Sequence, residues 1–130
     1  MASIIHNVSG LTNDFNQSIN IDLDFLEKEE SIQINLQYHE STADWRYDLI
    51  VYDANRDIIK QTMGNVLKYN LFLISEYINV LGFGIGCVTN DGFDPYSDTA
   101  FTDGNASDAN YGFIIYNKDG YDELMKNLMN

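Results

Sequence analysis

Apolar and polar residues alternate along several stretches of the chain, and this two-residue period is the main structural signal in the sequence. It runs through the segments SINIDLDF (18–25) and SIQINLQY (31–38), which the polar residues 27–30 separate. Because successive side chains of a strand point to opposite faces, such segments have one buried and one solvated face. The two segments therefore predict an antiparallel hairpin with a polar turn.

Four later segments also have strand character. WRYDLIVYD (45–53) alternates in the same way, and a turn over 53–56 leads to a short returning strand over 57–60. Residues 81–89 carry glycine at every second position with apolar side chains between, and residues 111–117 are rich in aromatic and β-branched residues. Six strands are therefore predicted in all. On the third strand, the side chains expected to share one face are Trp45, Tyr47, Leu49 and Val51.

The parts of the chain between and around these strands have weaker patterns. The start of the chain has no strong period, and residues 61–77 are predicted to be a packed connection with a helical turn over 73–77. Apolar residues spaced by three and four positions over 121–129 predict a short amphipathic helix.

The length and the order of these elements indicate one domain. A chain of 130 residues supports a single hydrophobic core. We therefore expect a mainly β, single-domain antiparallel β-sandwich or barrel with a short C-terminal helix. Its expected parts are an N-terminal arm (1–16), a β domain (17–117) and a C-terminal helical tail (118–130).

The charge of the chain limits its partners. Twenty acidic residues against seven basic ones give a net charge of -13, which repels a phosphate backbone or an anionic bilayer. We expect no nucleic-acid binding. The longest apolar run, 80–88, is too short for a membrane-spanning helix, and no secretory signal pattern opens the chain, so we expect no membrane insertion and synthesis in a cytoplasm. The single cysteine, Cys87, is expected to be buried and structural.

The segment DGFDPYSDTAFTDGNASD (91–108) combines five aspartates and three aromatic rings with no basic residue. Oxygen-rich side chains are the ligands that calcium prefers, but the spacing does not fit a helix-loop-helix calcium site. Two interpretations remain open: an irregular calcium site, or aspartates that shape successive turns without an ion. Asp91, Asp94 and Asp98 are also close enough in sequence to suggest paired carboxylates for sugar hydrolysis, although proximity in sequence does not fix their separation.

Aromatic rings in this acidic segment have two possible destinations. They either pack back on the domain as a local core or form an interface, where aromatic anchors are enriched. No Lys or Arg occurs from 69 to 117, so a partner with basic groups would be favoured there. The candidate interface residues, including two from the predicted C-terminal helix, are Phe93, Tyr96, Phe101, Tyr121 and Leu124.

Residues for catalysis are sparse. His6 lies in the expected arm and His39 at the end of a strand beside acids, and no sequence motif for a nucleophile, a metal protease or a phosphate loop occurs. We therefore expect a protein that is not an enzyme and needs no cofactor. Two alternatives are kept: a calcium- or carbohydrate-binding β module, and a hydrolase using His39 with nearby acids.

The order of the motifs adds a further indication. The series WRYDLIVYDANRDII, GNVLKYNLFLISEY, LGFGIGCVTNDGFDP and YGFIIYN resembles the baseplate plug proteins of contractile-tailed bacteriophages, over residues 17–117. The acidic segment from 97 to 110, the N-terminal arm and the helical tail depart from that pattern. The matching positions are Trp45, Asp48, Leu49, Asp53, Gly64, Leu73, Tyr77, Leu81, Gly84, Gly86, Asp91, Asp94, Pro95 and the strand 111–116.

This resemblance implies a structural role without catalytic residues. It implies a small β subunit at the centre of the baseplate that contacts the hub, tail-tube and spike-proximal proteins and helps to close the tail lumen. It also implies a symmetric homo-oligomer in the virion tail, assembled in the cytoplasm of the bacterial host. The residues that contact the hub are not implied by it.

Overall fold

The computed structural model describes residues 3–8, 10–74, 78–89, 101 and 111–128. Within these ranges, eight strands form two four-stranded antiparallel sheets, in the orders β1-β8-β7-β6 and β2-β3-β4-β5. The strands are β1 (Ile5–Asn7), β2 (Asn16–Asp22), β3 (Ser31–His39), β4 (Asp44–Tyr52), β5 (Ile58–Val66), β6 (Asn70–Ile74), β7 (Phe83–Thr89) and β8 (Tyr111–Asn117).

The two sheets pack face to face around one core. Inward side chains of β3 and β4 meet those of β7 and β8, and the period of two places every second residue of these strands inside. The prediction of a mainly β, single-domain antiparallel fold is therefore confirmed. The members of the core from these four strands are Ile32, Ile34, Leu36, Trp45, Tyr47, Leu49, Val51, Phe83, Ile85, Cys87, Phe113 and Ile115.

The predicted hairpins form, with a change at the end of the first strand. β2 pairs with β3 as expected, but the chain turns into a 3-10 helix over Leu23–Leu26 instead of continuing as a strand. Leu23 and Leu26 are both buried, and Glu27 closes this turn in the left-handed region at φ 59°. In the second turn, Asp53 Oδ1 accepts hydrogen bonds from the backbone N–H groups of Asn55 and Asp57 at 2.8 and 3.0 Å.

Two helices complete the described chain. A single turn, α1 (Ile78–Leu81), precedes β7, and α2 (Lys118–Leu128) follows β8 directly. The predicted C-terminal helix is therefore present and begins at Lys118, three residues before the start of its apolar period. No helix in the described part of the chain has the length and apolar character needed to cross a bilayer.

The segment expected as an N-terminal arm contributes to the β fold. β1 pairs antiparallel with β8, with Ile5 opposite Tyr116 and Asn7 opposite Ile114. Val8 and Leu11 join the common core. A strand of three residues is too short to show a period, so this pairing leaves no pattern in the sequence.

The stretch predicted as a short strand and a loose connection is instead two strands. β5 extends to Val66, well beyond the predicted end at Lys60, and β6 occupies Asn70–Ile74. The alternation that reveals a strand requires one buried face, and β5 has no buried residue. Its length was therefore hidden from pattern analysis.

Candidate functional site

The acidic segment begins and ends at neighbouring points of one sheet. β7 leads into it and β8 leads out of it, and the last paired residues of these strands are Thr89 and Tyr111. Of its residues, only Phe101 is among those that the structure describes. The candidate interface residues Phe93 and Tyr96 therefore lie outside the described residues, as do the aspartates considered as calcium ligands.

Phe101 is fully buried inside the chain. Its ring packs edge-on against Trp45, with 5.0 Å between ring centroids, and lies parallel to Phe113 at 6.4 Å. The row of rings continues outward through Tyr38, 5.2 Å from Trp45, to half-exposed Phe15 at 5.0 Å from Tyr38. The rings of the acidic segment were expected either to pack on the core or to form an interface, and Phe101 packs in the core. We therefore correct its assignment as an interface residue.

The other two candidate interface residues hold α2 against the sheet. Tyr121 packs edge-on against Phe72 at 5.4 Å and lies 6.3 Å from Tyr116, while Lys118 Nζ lies 5.0 Å above the Tyr121 ring. Leu124 packs on the same small apolar cluster. Burial raises the pKa of Tyr116, which is consistent with an apolar setting beneath the helix. Tyr121 and Leu124 are therefore half-buried by contacts within the chain.

A buried asparagine joins the N-terminus, the sheet and the helix. Asn117 Oδ1 accepts the N–H of Gly120 at 2.7 Å, which caps the first turn of α2, and also the N–H of Ile4 at 2.9 Å. Ile4 O accepts the N–H of Asn117 at 3.2 Å in return. A side chain at Gly120 would place its Cβ 2.5 Å from Ile4 O. This position favours glycine because the backbone just before β1 approaches the helix so closely.

Of the residues considered for catalysis, His39 lies beside an acid that already forms an ion pair with an arginine. His39 is exposed and pairs in register with Asp44 at the turn end of the β3–β4 hairpin. The Asp44 carboxylate is held by Arg46, whose Nε and Nη2 donate at 3.0 and 3.3 Å, and this hydrogen bonding lowers the pKa of Asp44. Cys87 is buried in the core, as predicted. The described residues include no group of three or more His, Cys, Asp or Glu side chains that could hold a metal ion.

A polar network that the sequence did not predict lies on the outer face of the β2–β5 sheet. Ser18 Oγ donates to Asn35 Oδ1 at 2.7 Å, and Gln33 Nε2 donates to the same atom at 2.9 Å. Tyr52 Oη donates to Gln33 Oε1 at 3.1 Å. A shallow hollow of about 310 Å³ adjoins this network. The alternating polar residues of the predicted strands indicate that this face is polar. Which of these side chains are neighbours depends on the register between the strands, which the sequence pattern does not give.

Asp48 connects this network to the edge of the sheet. Its Oδ2 accepts from Asn35 Nδ2 at 3.3 Å, and its Oδ1 accepts the N–H of Gly64 at 2.7 Å. The register of β4 and β5 shifts between Tyr47 and Leu49, so Asp48 lies at a bulge. Gly64 has a φ of 67°, which favours glycine. Asp48 and Gly64, two of the motif positions, thus stabilise this bulge together.

A second hollow lies between the first strands of the two sheets. It has a volume of about 350 Å³ and is bordered by β1 and β2 and by the 3-10 turn. His6 stacks on Phe25 there, with 4.1 Å between ring centroids and 20° between ring planes. The stacked pair closes one side of the sandwich, which gives His6 a packing role.

The outer strand β5 is the most unusual surface of the described fold. None of its nine residues is buried, although it pairs with β4 along its length, with two shifts of register. In the described residues no strand pairs with its other edge. Its large apolar side chains are exposed by 38 to 56%, namely Ile58, Ile59, Met63 and Val66.

The fold and these surfaces define a class of protein: a small antiparallel β-sandwich whose described surface offers sheet edges, a polar sheet face and shallow hollows. A scan against protein-family models and a search of curated proteins return no match for this chain. The function is therefore inferred from the residues of this chain and from the order of its motifs.

Proposed function

We propose that this protein is a structural subunit of a phage tail baseplate, of the plug type, that binds other baseplate proteins. The ordered series of motifs from Trp45 to the last strand carries the proposal. In the proposed role the chain contacts hub, tube and spike-proximal proteins, helps to close the tail lumen and is found in the virion.

The roles of the motif residues support a shared fold. Asp48 and Gly64 fix the bulge of β5, and Asp53 closes the β4–β5 turn through two backbone N–H groups. Trp45 lies at the centre of the aromatic row. These roles are structural, so these motif residues serve the β-sandwich itself and not one particular ligand.

The positions of the reactive side chains also favour a binding role. Catalysis by a nucleophile and a base needs the two groups within hydrogen-bonding reach of each other. Here Cys87 is in the core, while His39 lies on an exposed hairpin end and Asp44 is engaged by Arg46. The exposed edge of β5 is instead a surface suited to another protein chain.

Mass spectrometry and electron microscopy of purified phage particles test this function. We expect the chain in particles at a fixed ratio to tail proteins, and an antibody against it should label the tail tip. An antibody against a capsid protein provides the positional control. Absence of the chain from purified particles, or its location in the capsid, would contradict the proposal.

A further inference from the structure

The edge strand β5 carries a local positive charge on an acidic protein. Three of the chain's seven basic residues, Arg56, Lys60 and Lys68, lie within or beside it, and Asp57 is the only acid from 54 to 69. Arg56 and Lys68 are exposed at its two ends. β5 thus combines exposed apolar side chains, an outer backbone edge and a net positive charge over 54–69.

The opposite edge of the same sheet has complementary features. β2 is the other outer strand of the β2-β3-β4-β5 sheet. Exposed Asp14 lies two residues before its start and exposed Asp24 two residues after its end. Phe15, 39% exposed, lies directly beside Asp14.

We propose that β5 of one copy pairs with β2 of the next copy, so that the sheet continues from chain to chain. Strands alternate in direction across this sheet, so β5 runs opposite to β2. A second copy placed beside the first in the same orientation therefore makes an antiparallel pair with the inner faces aligned. The contact is head-to-tail, which builds a ring if its rotation closes.

The charges select this pairing over the pairing of β5 with itself. In the antiparallel β5–β2 contact, Lys68 lies at the same end as Asp14 of the next copy, and Arg56 at the same end as its Asp24. Antiparallel pairing of two β5 strands would instead bring together two segments that each carry three bases and one acid over 54–69, which is repulsive. Val66, 38% exposed, would also lie near Phe15 in the β5–β2 contact.

This inference rests on the proposed function, because the resemblance to baseplate plug proteins implies a symmetric homo-oligomer. Sedimentation velocity of the full chain should show multimers that grow with concentration. Lys68→Glu should raise the dissociation constant about tenfold at low salt, Asp14→Lys should do the same, and the double variant should recover most of the loss. Lys126→Glu on exposed α2 makes the same charge change and should leave association unchanged.

Cross-linking identifies the contact without relying on charge. A chain with Asp14→Cys and a chain with Lys68→Cys, mixed under oxidising conditions, should form a disulfide-linked heterodimer, while each alone should not. A Thr62→Cys chain would link to itself in a β5–β5 contact. Such a homodimer, failure of the heterodimer, or a monomer at the highest soluble concentration would each overturn the inference.

The two proposals can fail separately. If purified tails contain the chain and the Lys68→Glu variant still forms multimers like the unmodified chain, the β5–β2 contact is rejected and the proposed function stands. If the cross-link forms but particles lack the chain, the contact stands and the baseplate role is rejected.

Discussion

At the scale of single residues, two positions connect parts of the chain that are distant in sequence. Phe101 joins the acidic segment to the core through Trp45 and Phe113. Asn117 joins the N-terminus to α2 through hydrogen bonds with Ile4 and Gly120. Each provides a local test of how the fold is held together.

Replacing Phe101 with alanine should destabilise the protein strongly. The side chain is fully buried, so Phe101→Ala removes buried apolar surface and leaves a cavity, at a cost of about 3–4 kcal/mol in free energy of unfolding. Urea unfolding measures this cost. Phe15→Ala, the same change at the half-exposed end of the aromatic row, should cost about 1 kcal/mol or less. Equal losses in the two variants would show that Phe101 does not belong to the core.

A side chain at Gly120 should separate α2 from the N-terminal segment. Gly120→Ala gains about 1 kcal/mol of helix propensity, but its Cβ would lie 2.5 Å from a backbone oxygen, and the resulting shift costs more. We expect a net loss of about 1–2 kcal/mol and faster amide exchange in β1. Gly112→Ala is the control, because nothing lies within 4 Å of a Cβ there. Slow β1 exchange in both variants would contradict the expectation.

Asp44 should show an acid-shifted titration that depends on Arg46. Hydrogen bonding from Arg46 lowers the pKa of Asp44 in the folded state. Its stabilising contribution is therefore present above the unfolded pKa of about 3.9 and is lost as pH falls through the lower folded value. Carboxyl NMR titration should show the Asp44 midpoint rising in Arg46→Gln and staying in place in Lys126→Gln. If the Asp44 midpoint did not change in Arg46→Gln, the lowered pKa of Asp44 would have a cause other than Arg46.

At the scale of elements, the sequence pattern predicts the strands with one buried face, gives only the first residues of β5 and does not indicate β1 or β6. β3 and β4 show the alternation because Ile34 and Leu49 face the core while Asn35 and Asp48 face solvent. β5 has no buried residue, and β1 has only three residues, so neither produces a period. The candidate site was harder to predict, because the destination of Phe101 depends on contacts with strands far away in sequence.

The packing of α2 can be tested with two leucines of the same helix. Leu124 packs on the cluster that includes Tyr116, while Leu128 is 60% exposed. Leu124→Ala should cost about 1–2 kcal/mol and increase amide exchange along α2, because it removes partly buried apolar surface. Leu128→Ala should change stability by less than about 0.5 kcal/mol. If both substitutions had equal effects, α2 would not be held by this face.

At the scale of the whole molecule, the distribution of charge matters more than its total. A net charge of -13 keeps identical chains apart at low salt, yet the β5 edge is locally positive. Opposite charges on β5 of one copy and β2 of the next allow a specific contact in spite of this general repulsion. The same acidity leads to the competing hypothesis of a calcium-binding module, which requires a test of the whole protein.

Calcium should have no specific effect on stability if the acidic chain acts as a structural subunit without a resident ion. If the protein had a calcium site, a free calcium concentration of 100 times the dissociation constant would add about 2.7 kcal/mol to the free energy of unfolding. For a domain of this size that corresponds to a rise of several degrees, on the order of 5–10 °C, in Tm. We expect equal Tm values in calcium and magnesium at matched ionic strength, since both cations then screen the carboxylates alike. A rise found with calcium alone, and reversed by a chelator, would instead favour the calcium-binding module, because only a site with several oxygen ligands distinguishes the two ions.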